Sequence, residues 1–328
     1  MKYSLKQIND PSLPVSLNNF LNYLRTIRAK SERTIYNYKI DLILFFRFLK
    51  LYRGLSKDAD FEDIVINDID SSFLDSITLE DLFAFLSFTE EFRNNGSYAR
   101  ARKIAALRSF FKYISGKAKI IKENPTLELE SPSLPKRNPI YLTLEESQAL
   151  LNSIDGPFKE RDYCIITLFL NCGLRLSELV SIDISKIKGD TLTILGKGNK
   201  ERTIYLNEMC LKAIEDYIPV RNQKASSIKI EDKDALFISR KLTRINQRTI
   251  ELMVKKYALK ANLDYEKLTP HKLRHTAATL MYKYGNVDIR SLQQILGHES
   301  VSTTQIYTHI DDENLRKAVK SNPLNNVK

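Results

Sequence analysis

Cysteine and glycine are scarce in this chain of 328 residues, which has three Cys, 10 Gly and 10 Pro. The cysteines, Cys164, Cys172 and Cys210, are odd in number and show no CxxC spacing. Neither a disulfide framework nor a zinc knuckle is therefore indicated, and the pattern is typical of a reducing compartment. With 43% hydrophobic residues, the composition favours a globular, helix-rich chain over a fibrous or disordered one.

Long hydrophobic runs are also missing. Residues 1–7 contain no apolar segment of the kind that forms a secretory signal. The longest apolar stretch, at 164–170, is far shorter than the ~20 residues that a membrane span needs. We therefore expect a cytoplasmic protein with no membrane partner.

Acidic residues are absent from 92–122, in a chain whose 51 Lys and Arg outnumber 40 Asp and Glu for a net charge of +11. Such an excess favours a polyanionic partner such as nucleic acid, because neutralising phosphates releases counterions. A helix predicted over 97–114 buries its apolar face and leaves basic side chains to meet phosphates. The alternative is a solvated basic surface without a ligand. The predicted DNA contacts are Arg33, Arg100, Lys103 and Arg108.

Four prolines lie within 124–139 and predict an extended, semi-rigid linker. The length of the chain favours about two domains. We therefore expect a helical domain at 1–117, a linker at 118–140 and a second domain at 141–328.

Apolar residues at helical spacing predict most of the secondary structure. Branched residues at 191–195 and 202–206, joined by a glycine-containing turn, predict a β-hairpin. The expected fold class is mainly α with a small β-sheet. Predicted helices cover two segments within 16–49, then 78–89, 97–114, one starting after Thr143, 161–172, 209–217, 249–261, 272–284, 289–296 and 312–320.

All four histidines, His271, His275, His298 and His309, fall near Arg274 and Tyr307 in the sequence. A metal site is one explanation, since His271 and His275 lie one helical turn apart. However, no carboxylate stands between them as in HExxH, and no cysteine has ligand spacing. The segment around Lys197 lacks the GxxxxGK[ST] spacing of a phosphate-binding loop. The cluster therefore favours another chemistry.

Four segments resemble the signature of the tyrosine recombinase (phage integrase) family, in the family's order and spacing. They are CGLRLSEL at 172–179, GKGNKER at 196–202, TPHKLRHT at 269–276 and LGHESVSTTQIYTH at 296–309. Within that family, the length and the GKGNKER hairpin are most similar to the Xer site-specific recombinases. The resemblance implies an N-terminal helical, SAM-like core-binding domain that clamps DNA and a C-terminal mixed α/β catalytic domain.

The resemblance implies that Tyr307 is the nucleophile and that five other residues complete the catalytic set. This fits the residue types, because two arginines can present forks of donors to a phosphate in its transition state. A lysine on a hairpin tip can protonate the departing oxygen. Glu178 is expected to orient Arg175, while His275 and His309 are expected to serve packing or to support the catalytic residues. The five residues are Arg175, Lys197, His271, Arg274 and His298.

Each of these residues also has an ordinary interpretation: Arg175 as a salt-bridge residue, Lys197 as a turn lysine, and Tyr307 as one of 16 tyrosines. Their joint occurrence favours the catalytic interpretation. Two further alternatives stay open, namely a type IB topoisomerase-like enzyme or mobile-element integrase, and a DNA-binding protein that keeps the fold without catalysis.

The implied partner is double-stranded DNA, held by a homo-tetramer or by a hetero-tetramer with a paralogue. The resemblance further implies a 3′-phosphotyrosyl intermediate, a four-way junction, and no cofactor or metal. Resolution of chromosome or plasmid dimers is the expected role, with a DNA translocase as a further candidate partner. The segment 314–319, with Leu315, Ala318 and Val319 as its apolar face, is expected to dock on a neighbouring subunit.

Overall fold

The structure is a computed structural model that describes residues 9–56, 60–134, 140–196, 201–223, 225–285, 287–298, 300–301 and 304. The chain divides into two compact units, 1–136 and 137–328. The division falls inside the segment that the sequence predicts as a linker. Most described regular structure is helical, with one three-stranded sheet, so the fold class expected from the sequence is confirmed.

The first unit is helical throughout its described regular structure, and local capping signals set where its helices begin. Ser31 accepts a hydrogen bond from the backbone N–H of Thr34, and Thr78 and Asp81 form a reciprocal capping box. The helices of this unit are α1 (Val15–Thr26), α2 (Glu32–Tyr52), α3 (Ser71–Asp75), α4 (Leu79–Glu91) and α5 (Ser97–Gly116). The predicted helices are confirmed to within a few residues as α1, α2, α4 and α5, whereas α3 was not predicted.

Phenylalanines form the centre of the first unit's core. Phe45, Phe85 and Phe110 are completely buried, and Phe45 meets Phe85 edge to face with ring centroids 5.1 Å apart. Ile121 and Leu129 also lie in this core. The stretch 118–134, predicted as part of the linker, therefore packs partly against the first unit.

The second unit combines helices with the sheet. Thr143 and Glu146 form a capping box at the first of its helices, as the sequence indicates. Thr269 caps a later helix, with Pro270 in its first turn. The helices are α6 (Leu144–Asn152), α7 (Lys159–Cys172), α8 (Leu176–Val180), α9 (Glu208–Asn222), α10 (Gln247–Lys260), α11 (Pro270–Tyr284) and α12 (Ile289–Leu296).

The sheet is antiparallel in the order β1 (Ile187–Lys188), β2 (Thr191–Leu195) and β3 (Glu201–Tyr205). The predicted hairpin is confirmed as β2 and β3, with Ile194 opposite Arg202. The two-residue β1 was not predicted, because it is too short to show alternation. In the parts of the chain that the structure describes, no helix is long and apolar enough to span a membrane.

Candidate active site

Arg175 follows a tight exit from helix α7. Gly173 ends that helix with φ +59°, and a Cβ at this position would lie 2.7 Å from Cδ2 of Leu296. Glycine is therefore required both for the left-handed conformation and for the close approach. Arg175 then caps the short helix α8, where its backbone N–H donates to Oε2 of Glu178 at 2.7 Å.

Glu178 is the centre of an arginine cluster. Its side chain is only 3% exposed, and Oε1 accepts hydrogen bonds from Nη1 of Arg175 at 2.7 Å and Nη1 of Arg202 at 2.6 Å. Nη1 of Arg274 lies 3.7 Å from Oε2. Burial by itself raises the pKa of Glu178, but hydrogen bonds from Arg202 and the backbone of Arg175 outweigh it and lower that pKa. Glu178 is therefore a carboxylate that holds three guanidinium groups together, which extends its expected role of orienting Arg175.

The two arginines predicted to be catalytic also meet at the end of helix α12. Nη2 of Arg274 donates to the carbonyl of Leu296 at 2.6 Å, and Nη2 of Arg175 donates to the carbonyl of Gly297 at 2.8 Å. Nη1 of Arg274 donates to the carbonyl of Gly173 at 2.7 Å. The side chain of Arg274 is 3% exposed and that of Arg175 is 35% exposed. Arg175 is therefore the more accessible cation of the two.

The predicted histidines lie within range of these cations. Burial lowers the pKa of His271, and the positive charge of Arg274 lowers it further. Burial and the charges of Arg274 and Arg175 lower the pKa of His298 to about 4. Nδ1 of His298 lies 2.9 Å from Oγ1 of Thr304. Both imidazoles are therefore neutral near pH 7, and each has one ring nitrogen that donates a hydrogen bond and one that accepts.

His275, which was expected to serve packing or to support the catalytic residues, meets His271 edge to face with ring centroids 4.4 Å apart. Burial and the neighbouring His271 lower the pKa of His275 to about 4. Among the residues with described positions, no group of three or more His, Cys, Asp or Glu side chains has the geometry of a metal site.

A groove of about 750 Å³ begins at Arg175 and Glu178 and follows strand β2 to Gly196. Its walls also carry two ion pairs, Lys186 with Glu201 and Arg244 with Asp183. The groove therefore runs from the arginine cluster towards the segment of the sequence that contains Lys197. Lys197, Tyr307, His309, the predicted helix 312–320 and the predicted docking segment 314–319 lie outside the described residues, and their roles stay predictions.

The predicted DNA contacts of the first unit need correction. Lys103 is buried, and its Nζ lies 3.0 Å from Oδ1 of the buried Asp41. It is therefore not free to meet a phosphate, contrary to the prediction. The reason is tertiary: the acid-free stretch of sequence obtains its compensating carboxylate from helix α2.

The other three predicted contacts differ among themselves. Arg100 forms an ion pair with Glu90, and its side chain is 16% exposed. Arg108 is exposed but donates to the carbonyl of Leu129 and to Oγ of Ser131. Arg33 is exposed at the start of helix α2. Arg33 therefore keeps the most open position of the four.

Two residues near the cluster were not assigned a role from the sequence. Arg202 belongs to the GKGNKER segment and Thr304 to the LGHESVSTTQIYTH segment, so membership in these motifs was the available signal. Their importance was missed because it depends on partners distant in sequence: Glu178 for Arg202, and His298 for Thr304.

Comparison with known proteins shows extensive similarity. A model of the phage integrase family matches residues 141–314. The tyrosine recombinase XerC of Caldanaerobacter subterraneus subsp. tengcongensis is 61% identical over 312 residues, which cover 95% of this chain and 87% of that protein. The tyrosine recombinase XerD of Yersinia pestis is 33% identical over 320 residues, which cover 95% of this chain and 97% of that protein.

Solved structures show the same fold. The crystal structure of the XerH site-specific recombinase bound to a palindromic difH substrate, a post-cleavage complex, matches with a TM-score of 0.70. The match covers 93% of this chain and 84% of that chain at 23% identity. A lambda integrase (75–356) dimer bound to a COC′ core site matches with a TM-score of 0.62 at 16% identity, covering 88% of this chain and 95% of that chain.

Proposed function

Because the chain belongs to the phage integrase family of tyrosine recombinases, we propose that Tyr307 cleaves duplex DNA at a specific site and that the enzyme rejoins the strands in a new combination. The observation that carries this proposal is that residues from three separate sequence motifs lie together. Arg175 and Arg274 lie at the buried carboxylate of Glu178, and His271 and His298 lie within range of the charges of these arginines. A structural salt bridge needs only one of these arginines. A surplus of cations beside neutral imidazoles is suited to stabilising the negative charge of a phosphodiester as it reacts.

The first step is attack by the phenolic oxygen of Tyr307 on the scissile phosphorus. The new P–O bond joins DNA to the tyrosine, the P–O5′ bond breaks, and the energy of the phosphodiester is kept in the phosphotyrosyl ester. Arg175 and Arg274 stabilise the charge that develops on the non-bridging oxygens. Rejoining is the reverse reaction with a different 5′ hydroxyl, so the exchange needs no cofactor.

Proton transfer completes the step. An unperturbed phenol has a pKa of about 10 and is a weak nucleophile at neutral pH, so a proton acceptor is required. His271, held neutral by burial and by Arg274, fits that role, while His298 donates a hydrogen bond to the phosphate. Lys197 gives a proton to the departing 5′ oxygen.

The proposed cellular role is that of an Xer recombinase which resolves chromosome or plasmid dimers in the cytoplasm. Identity of 61% to a XerC protein over nearly the whole chain supports this role. We further propose a tetramer on two DNA duplexes, built from this chain alone or with a paralogue, and activated by a DNA translocase. Docking of 314–319 on a neighbouring subunit belongs to the same proposal.

The test uses a nicked suicide substrate, from which the fragment beyond the cleavage site diffuses away and traps the covalent complex. We expect the natural chain and Tyr205→Phe to form the adduct on a denaturing gel, since Tyr205 is 77% exposed on strand β3. Tyr307→Phe should bind the same DNA without forming the adduct. Undiminished adduct with Tyr307→Phe refutes the assignment, and equal cleavage of any supercoiled plasmid favours a relaxing topoisomerase instead.

A further inference from the structure

We infer that Arg202 is a positioning residue for strand transfer, which acts through Glu178 to keep the guanidinium of Arg175 oriented and available for the scissile phosphate. The inference deepens the proposed function and rests on it. Arg202 lies on strand β3, opposite Ile194 of β2. The sheet therefore fixes the backbone from which its side chain extends.

Arg202 holds Glu178 through both terminal nitrogens of its guanidinium. Nη1 donates to Oε1 at 2.6 Å and Nη2 donates to Oε2 at 3.1 Å. This two-point contact fixes the plane of the carboxylate. Arg175 uses the same two oxygens, because its Nη1 donates to Oε1 and its backbone N–H donates to Oε2, both at 2.7 Å. The orientation of Arg175 therefore depends on a carboxylate that Arg202 holds in place.

The charge balance gives the same residue a second effect. Glu178 carries one negative charge beside Arg175, Arg202 and Arg274, which leaves a surplus of two positive charges in the cluster. Without Arg202, the surplus falls to one positive charge. The negative charge of Glu178 then offsets more of the positive charge of Arg175. The attraction between Arg175 and the anionic oxygens of a phosphate is then weaker.

Arg202 also packs where the backbone turns towards His298. A Cβ on Gly297 would lie 2.7 Å from Nη1 of Arg202, so the guanidinium occupies the space that a side chain at 297 would take. The carbonyl of Gly297 accepts the other hydrogen bond of Arg175, at 2.8 Å. Arg202 therefore bonds to Glu178 and lies beside Gly297, the two residues that hold the Arg175 side chain.

Burial argues that Arg202 acts through Glu178 and not on DNA itself. Its side chain is 16% exposed, while that of Arg175 is 35% exposed. Nη1 and Nη2 both donate to Glu178, and Nε is buried without a hydrogen-bond partner among the described residues. The phosphate is left to the more exposed guanidinium of Arg175.

The experiment compares Arg202→Met and Arg202→Lys with the natural chain in single-turnover covalent attachment at saturating DNA. Two suicide substrates are used, one with a natural scissile phosphate and one with a neutral methylphosphonate. Arg161→Met is the matched control, because Arg161 forms a buried ion pair with Asp162 at 2.7 Å in the same unit, and its Nη1 donates to the carbonyl of Ile238 and not to Glu178.

On the natural phosphate, Arg202→Met should slow attachment by about 10- to 100-fold, the range seen when a residue that orients another is lost. DNA affinity should stay unchanged, and Arg202→Lys should recover part of the rate. On the methylphosphonate the deficit of Arg202→Met should shrink to a few-fold, because a neutral phosphorus centre depends less on an oriented cation. Arg161→Met should match the natural chain on both substrates.

An equal deficit on both substrates, or attachment by Arg202→Met at the natural rate, overturns the inference. Where Arg202→Met does not fold, as thermal melting reports, the same two-substrate comparison with Arg202→Lys decides in the same way. Failure of the natural chain to form any adduct that depends on Tyr307 overturns the proposed function, and the inference with it.

Discussion

Each unit of the molecule has a buried carboxylate between basic side chains, yet the two arrangements leave different surfaces. In the first unit, Asp41 is 1% exposed and contacts Nη1 of Arg102 at 2.5 Å and Nζ of Lys103 at 3.0 Å. These residues come from two helices that pack together, α2 and α5, and the ion pairs fasten them. Lys103 is therefore buried and paired inside the first unit.

In the second unit, Glu178 on helix α8 contacts three arginines, namely the residue that caps α8, one on strand β3 and one on helix α11. Carbonyls at the ends of α7 and α12 accept further bonds from the same guanidinium groups. Three cations share one acid there, against two around Asp41, and the 35% exposure of Arg175 is close to the 40% of Arg102. A basic cluster alone is therefore a weak guide to function, and what distinguishes the second cluster is the pair of imidazoles, His271 and His298, within range of its arginines.

Glu178→Gln and Asp41→Asn give the largest expected contrast between the two units. Each substitution leaves buried cations without their counter-charge, which costs about 3 kcal/mol or more of unfolding free energy. Glu178→Gln should also abolish adduct formation, whereas Asp41→Asn should keep it under conditions where the protein stays folded. Urea titration and the suicide-substrate assay measure the two effects. If folded Glu178→Gln attached to DNA at the natural rate, the arginine cluster would not be needed for cleavage.

Gly297→Ala tests the crowding in the second cluster. Gly297 has φ +63°, and a Cβ there meets Arg202, while Gly189 has φ +58° with nothing within 4 Å of a Cβ. Both alanine variants carry similar backbone strain of about 1 kcal/mol, so Gly189→Ala is the matched control. We expect attachment to slow about tenfold or more only in Gly297→Ala. Equal rates for the two variants in single-turnover assays contradict the account.

Arg33→Ala and Lys103→Met test whether Arg33 contacts DNA in the first unit and Lys103 does not. Arg33 is exposed, so its loss should weaken DNA binding and reduce the slope of log K against log salt by about 1. Lys103→Met should leave that slope unchanged, because Lys103 is buried against Asp41. Binding titrations over a range of salt concentrations report both slopes. A reduced slope for Lys103→Met would restore the original prediction.

Lowering the pH should reduce the stability of the second unit at a pH where the stability of the first unit is unchanged. The reason is that all four histidines belong to the second unit. The pKa of His275 and of His298 is about 4 in the folded chain, against about 6.5 unfolded. Protons therefore bind the unfolded chain first, and stability is lost as the pH falls from about 6.5 towards 4.

Hydrogen exchange at pH 7 and pH 5, read by mass spectrometry, separates the units. Protection should fall in helices α11 and α12 and stay constant in α2 and α5, after correction for the intrinsic effect of pH on exchange. His275→Phe should reduce the loss. Equal loss of protection in the two units would show that other groups control the response.

Local signals in the sequence predicted much of the fold. The capping residues Ser31, Thr78 and Thr143 mark helix starts because a hydroxyl bonds a backbone N–H within three residues, which spacing alone reveals. The β2–β3 hairpin and the proximity of Arg175 to Glu178 are similarly local. Helix α3 and strand β1 escaped prediction because five and two residues are too short to show a period.

The residues that were misjudged depend on distant partners. Lys103 finds Asp41 at a separation of 62 residues, and Arg202 finds Glu178 at a separation of 24. No sequence pattern reveals either pairing, because tertiary packing brings the partners together. The motif resemblance identified the second-unit cluster since four motifs had to agree, whereas the first-unit prediction depended on charge alone.

The central claim is that Tyr307 carries the DNA, and digestion of the trapped adduct tests it most directly. Trypsin cleaves after Arg290 and Arg316, which releases 291–316 as a peptide whose single tyrosine is Tyr307. After nuclease treatment, mass spectrometry should find nucleotide phosphate on that tyrosine of this peptide. Nucleotide on a different peptide, or on a serine or threonine of the same one, would contradict the account.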